Sequence, residues 1–194
     1  FFLTLLFLIC VIITGERSNT IKALTGLCIF LLLNNKFNIK QRIFTFMGII
    51  ILMTLMISNS AYLKYRYLDI IINPILNSDK RENFLKENIY LRHYKSGYAV
   101  FKNYPLFGVG NKNYRLETRR KFNEKKSYLP DTHPHQVYLE FLSEHGLIGS
   151  FIFLSIIFFL IFRNIKICLS SKNSLQLGAL CYLITTFLPI IPSG

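Results

Sequence analysis

Residues 147–162 form an uncharged apolar run that, as a helix, would cross most of a bilayer. Further apolar runs occupy residues 1–14, 21–33 (interrupted only by Lys22), 43–57 and 174–191. A soluble domain of 194 residues has no need of so many, and 52% of the chain is hydrophobic. The expectation is an all-α, polytopic integral membrane protein with about five transmembrane helices. Residues 1–58 would hold the first three and residues 136–194 the last two. Residues 59–135, where most of the charge lies, would be one large and mostly helical loop outside the membrane. Phe1 and the apolar end read as the cut ends of a longer chain. The first apolar run lacks the basic leader and small-residue cleavage site of a signal peptide.

Net charge is +13. In so apolar a chain this points to membrane phosphate or a lipid pyrophosphate, and not to nucleic acid. Two short links orient the spans. Lys36, Lys40 and Arg42 occupy one, and Arg163, Lys166 and Lys172 the other, with no acid in either. Both should face the cytoplasm. Counting spans then puts the turn at residues 15–20 and the loop at 59–135 on the opposite, outer face. The four cysteines (Cys10, Cys28, Cys168 and Cys181) form no CxxC pair and read as small apolar filler.

The segment from His133 to Gly149 gathers three histidines and two glutamates at the mouth of the long apolar run. If a helix begins at Pro134–His135, then Leu139, Leu142, Gly146 and Gly149 follow on roughly one face. His133 and His135 have two readings, as solvated loop histidines or as a general base at the membrane surface; an ordinary imidazole pKa of about 6.5 suits the second. Arg17 likewise has two. It pairs with Glu16 or snorkels to lipid, or its planar guanidinium holds a substrate phosphate. A metal site is not expected. His133 and His135 with Glu140 or Glu144 lack conventional ligand spacing, and His93 is far away in sequence. Glu144 should point away from His135 on an ideal helix, and so pair with a loop cation or cap neighbouring structure. Residues 105–110 contain Pro105, Gly108 and Gly110 without GxGxxG or a following Lys-Ser/Thr. They read as a tight turn at the membrane face, not as a nucleotide loop.

Three stretches carry a resemblance. His135-Gln136-x-x-Leu139 followed by Glu144-x-Gly146-x-x-Gly149 resembles the signature of the O-antigen ligase and O-antigen polymerase superfamily, where Asn is usual at the Gln136 position. Pro105-Leu106-Phe107-Gly108-Val109-Gly110 is similar to the family's Pro-Leu/Ile-x-Gly-x-Gly element. Thr14-Gly15-Glu16-Arg17 looks like its Thr-Gly-Ser-Arg turn.

The resemblance implies an enzyme of the bacterial inner membrane with its large loop in the periplasm. It would carry out a metal-independent, inverting glycosyl transfer without a cofactor. The donor would be a glycan on undecaprenyl pyrophosphate, and the acceptor a hydroxyl of lipid A-core or of a growing chain. By the family motif His135 would deprotonate the acceptor, Arg17 would bind the pyrophosphate and Arg92 would match a second arginine, with His133, Gln136 and Glu144 in support. The apolar spans would provide a groove for the lipid tail. Within the superfamily, a polysaccharide polymerase is the alternative. From another class, a non-enzymatic transporter would place ionisable residues inside its spans, which here are almost free of charge.

Overall fold

The computed structural model describes residues 2–77, 84, 86, 88–121, 124, 127–171, 173–189 and 191–192. Among these residues the chain is all-helical, with no strand. It divides into two units, one of Phe1–Phe84 with Ile161–Thr186, the other of Leu85–Leu160 with Phe187–Gly194.

The first unit begins with α1 (Phe2–Ile13), α2 (Arg17–Leu33) and α3 (Ile39–Asn59). After them come the short α4 (Ala61–Leu63), a π-helix (Lys64–Ile72) and α5 (Asn73–Leu76). At 21 residues α3 is long and apolar enough to cross a membrane. It starts four residues before its apolar run because Asn38 and Gln41 form a reciprocal capping box. Arg42 turns back and donates to the carbonyls of Phe37 and Asn34, satisfying the end of α2. The core joins Leu8 and Ile12 of α1, Ile49 of α3, Leu63 and Tyr67. The Tyr67 hydroxyl is satisfied by Thr20 Oγ1 at 2.8 Å, so this buried phenol costs little.

The long apolar run lies in α8 (Val137–Ser171), the second helix able to cross a membrane. It is longer than the sequence suggests, because the basic link expected at residues 163–172 is helical as far as Ser171. Nothing in Arg163–Ser171 breaks a helix: there is neither Gly nor Pro. Asn173 then receives the N–H groups of Leu175 and Gln176 and starts α9 (Ser174–Thr186). At 12 and 13 residues α1 and α9 are about 18–20 Å long, short of a bilayer core about 30 Å thick.

The second unit holds α6 (Ile89–Asn103), α7 (Tyr114–Arg120) and the first part of α8. The helix α6 buries His93, Ser96, Gly97 and Val100, a stripe at i, i+3, i+4 and i+7. Val100 packs with Tyr114 and Tyr128.

Inside α8, Gly146 has φ 63° and ψ −167°, a conformation open essentially to glycine alone. It separates a short helix at residues 137–145 from the long one at 147–171. The turn at residues 105–110 crosses at this break. Leu147 N–H donates to the Pro105 carbonyl at 2.8 Å and Ile148 N–H to Leu106 at 3.2 Å. In return Val109 N–H donates to Ser143 at 3.0 Å and Gly110 N–H to Glu144 at 2.8 Å. A Cβ on Gly108 (φ 67°) would overlap the Glu144 carbonyl, and one on Gly146 would overlap that of Leu106. Phe141 and Phe153 stack across the break at 4.3 Å between centroids. The helix-start reading therefore needs correction: Gly146 does not share a helical face with Leu139 and Leu142, but ends their helix to admit another segment.

Replacing either crossing glycine by alanine should cost on the order of 3 kcal/mol, combining left-handed strain and overpacking of about 1–3 kcal/mol each. Gly48, in α3, has open space around its Cβ position. Gly48→Ala should leave stability unchanged or raise it by up to about 1 kcal/mol. Thermal unfolding of the three variants in detergent checks this; a wild-type midpoint for Gly146→Ala would contradict the crossing.

Candidate functional site

The site is built on the buried stripe of α6. Ser96 Oγ receives the Tyr114 hydroxyl at 2.8 Å and the Leu129 N–H at 2.9 Å, which pins the segment leading to the histidines onto this helix. A Cβ on Gly97 would lie 2.7 Å from Pro134 Cβ, so glycine at 97 lets the proline settle against the helix. One turn earlier on α6 is His93, and its ring meets that of His135 at 4.7 Å between centroids.

His135 does not lie in a helix. Its φ is +54°, uncommon for a residue with a side chain, although histidine tolerates it better than most. The helix starts at Val137, and Gln136 is its cap: Gln136 Oε1 receives the Leu139 N–H at 2.7 Å, and its carbonyl receives the Glu140 N–H. Gln136 is buried and spent on this capping.

Both rings face one carboxylate. His135 Nε2 lies 3.2 Å from Asp131 Oδ2, and His93 Nε2 lies 3.4 Å from the same oxygen. Burial opposes the Asp131 carboxylate, but the Thr132 N–H, the bond from His135 and the charge of His93 outweigh it and hold its pKa below the ordinary value. Asp131 is therefore ionised and can only accept, so His135 carries its proton on Nε2. Its Nδ1 is buried and without a hydrogen-bond partner among the described residues, as is His93 Nδ1. His93 is only 8% exposed. Desolvation lowers its pKa; Asp131 pulls the other way, while His135, Arg92 and His133 add to the lowering. His93 is therefore neutral at pH 7.

His133 flanks His135 at 4.3 Å between centroids, and its Nδ1 is 2.8 Å from Thr132 Oγ1. The Tyr90 ring meets His135 edge-on at 6.2 Å. Arg92 is exposed on α6 next to His93. Glu144 binds the loop before α7: its carboxylate receives Lys112 N–H at 2.9 Å and Tyr114 N–H at 3.4 Å. That carboxylate holds Lys112 at a positive φ of 58°. His145 packs its ring near Phe141 at 5.8 Å. A pocket of about 320 Å³ opens between the Lys112 loop, His133 and Glu140.

Arg17 belongs to the first unit, where it is the first residue of α2 and not a member of the preceding turn. Its expected partner Glu16 pairs instead with Arg66, at 3.9 Å. Arg66 Nε also donates to the Gly15 carbonyl, and the Tyr62 hydroxyl to that of Thr14, so this turn is gripped from the α4 and π-helix segment. The Arg17 guanidinium makes no hydrogen bond or ion pair among the described residues.

Sequence reasoning set His93 aside for its distance along the chain and did not weigh Asp131. One signal was present: His93, Ser96, Gly97 and Val100 share a face of an otherwise charged helix, which marks this histidine as buried. The ligand atoms of His93, Asp131 and His135 lie within 4.8 Å of one another, a spacing that would also suit a metal ion. Their separations are also those of a hydrogen bond from His135 to Asp131 and a charge contact from His93 to the same oxygen.

A family model described as O-antigen ligase matches residues 2–154. No curated protein and no solved structure matches the chain.

A histidine whose pKa is lowered by folding binds its proton more readily in the unfolded state. Its contribution is thus complete above the unfolded pKa of about 6.5 and lost as pH falls through the folded one. Asp131, also lowered, adds a loss at more acid pH with the same sign. Stability should thus fall as pH drops from 7 towards 5, and His93→Gln should flatten that slope. Thermal midpoints across this range are the check; parallel slopes for the two proteins would contradict a neutral His93.

Proposed function

The chain belongs to the O-antigen ligase family, and we propose that it transfers a glycan from undecaprenyl pyrophosphate to a hydroxyl of a lipid A-core acceptor, with His135 as the base. The observation that carries this reading is the His135–Asp131 bond, which leaves Nδ1 as the atom able to take a proton. The acceptor hydroxyl gives its proton to Nδ1 while its oxygen attacks the anomeric carbon. The bond from that carbon to the pyrophosphate breaks, and the pyrophosphate leaves with the electron pair and the negative charge. The configuration at carbon is inverted. His135 becomes an imidazolium paired with Asp131, and a neutral His93 does not compete for that charge.

In this conformation Nδ1 is closed to solvent. The acceptor reaches it after a flanking ring, His133 or Tyr90, moves aside. The departing pyrophosphate needs cationic stabilisation, for which Arg17 and Arg92 are the candidates. Support for Arg17 is its uncommitted guanidinium, and for Arg92 its exposure beside His93. The protein is a multi-pass inner-membrane enzyme in this reading, with the His135 segment on the periplasmic face. Two apolar helices of sufficient length fit a membrane location, and the basic residues at 36–42 and 163–172, with no acid among them, fit the orientation. Transfer is metal-independent.

Each substitution is to be assayed for transfer of a labelled lipid-linked glycan in membranes. His135→Ala should lower transfer by about 10²–10⁴-fold, the range for losing a general base. Arg17→Ala should be comparably inactive, Asp131→Asn should lose about 10²-fold, and a chelator should change nothing. Wild-type transfer by His135→Ala would overturn its role. Deleting the gene separates ligase from polymerase: a ligase leaves an unligated polymer, a polymerase leaves a capped single repeat.

A further inference from the structure

The pocket beside His133 has a lining for which the proposed reaction, as set out, has no use. It is formed by Asn111, Lys112, Arg115, Thr132, His133 and Glu140, with the engaged Glu144 behind them. Each of these side chains carries a polar group. Its volume of about 320 Å³ is at the small end of ligand pockets, about 300–1,000 Å³, suiting a single sugar ring better than an oligosaccharide or a lipid chain.

Glu144 cannot serve a ligand there, because both its oxygens accept backbone N–H groups of the Lys112 loop. Glu140 is different. It lies four residues before Glu144, on the same side of the short helix, and is only partly exposed. Its carboxylate makes no hydrogen bond among the described residues; burial and the charge of Glu144 raise its pKa, against the lowering by His133, His135 and His145. A free carboxylate of this kind accepts from two neighbouring hydroxyls. In the same lining, the exposed side chains of Lys112 and Arg115 have no ion pair among the described residues. Glu144 fixes the backbone that carries Lys112.

We propose that this pocket is the subsite for the acceptor sugar. Glu140, with Asn111, binds the sugar's hydroxyls, and Lys112 with Arg115 binds an anionic substituent on the same ring. The assignment to the acceptor rests on His135 being the base. The hydroxyl that loses its proton belongs to the acceptor, so the acceptor ring lies beside the base, and His133 joins the pocket wall to His135.

Two measurements on the full-length protein in detergent test this separately from the transfer reading. Saturation-transfer NMR uses glucose, glucose 6-phosphate and inorganic phosphate as probes. Glucose 6-phosphate should bind more tightly than glucose. Glu140→Gln should weaken both sugars about tenfold, the effect of one charge-assisted hydrogen bond. Arg115→Ala should weaken glucose 6-phosphate about fivefold and glucose not at all. His135→Ala should bind the sugars as the wild type does, whether or not it transfers glycan. In the transfer assay, Glu140→Gln should raise the acceptor KM about tenfold while kcat and the donor KM stay within about twofold. Unchanged sugar binding in Glu140→Gln would overturn the proposal, as would inorganic phosphate competing as well as glucose 6-phosphate. If the wild type shows no transfer, loss of sugar binding in Glu140→Gln still upholds a sugar subsite and the failure falls on the reaction alone.

Discussion

At Gly108 and Gly146 two backbones approach so closely that neither position has room for a Cβ. Four backbone hydrogen bonds close the crossing, two in each direction. Much of the second unit's geometry depends on it. It ends the short helix that carries Glu140 and Glu144, and it brings the Lys112 loop under the Glu144 carboxylate. Two sequence elements that look independent, Pro105–Gly110 and Glu144–Gly149, are thus two halves of one structural joint. Their glycines are required because backbone meets backbone, not because phosphate is cradled there.

Above this joint, the polar centre depends on how few side chains remain free. Gln136 caps a helix, Glu144 holds a loop, and Ser96 ties Tyr114 and Leu129 to α6. Among the described residues, groups not committed in this way include the Nδ1 atoms of His135 and His93, the Glu140 carboxylate and the exposed cations Arg92, Lys112 and Arg115. In the proposed transfer they would serve as the base, the acceptor of sugar hydroxyls and the anion-binding groups. Asp131 links the two sets: one of its oxygens takes the structural contact with His93 and the bond that orients His135.

The helical class and the two long apolar helices were legible in the sequence, because hydropathy and local spacing carry them. Helix boundaries were less so. The Asn38–Gln41 capping box lengthened α3 at its start, and the absence of a breaker between Arg163 and Ser171 carried α8 through its basic end. The start at Val137 was missed because a proline looks like a first helical turn, whereas here the φ of His135 delays the helix by two residues. The pairing of His93 with His135 lies forty-two positions apart in sequence (135 − 93), and no spacing rule reports it. It arises from Gly97 admitting Pro134, a contact set by shape. That Glu16 pairs with Arg66 was hidden in the same way, since Arg66 comes to the turn through a π-helix that no simple periodicity indicates.

The central claim is that Asp131 fixes the His135 ring so that Nδ1 is left to take a proton. ¹⁵N NMR of the protein with labelled histidine reads this directly, with His135 assigned by comparison with His135→Ala. The account predicts that the Nε2 proton stays on the ring in the hydrogen bond to Asp131 while Nδ1 is the nitrogen that exchanges its proton, and loss of that single form in Asp131→Asn. A neutral ring protonated at Nδ1 in the wild type, or the same spectrum with and without the Asp131 carboxylate, would contradict it.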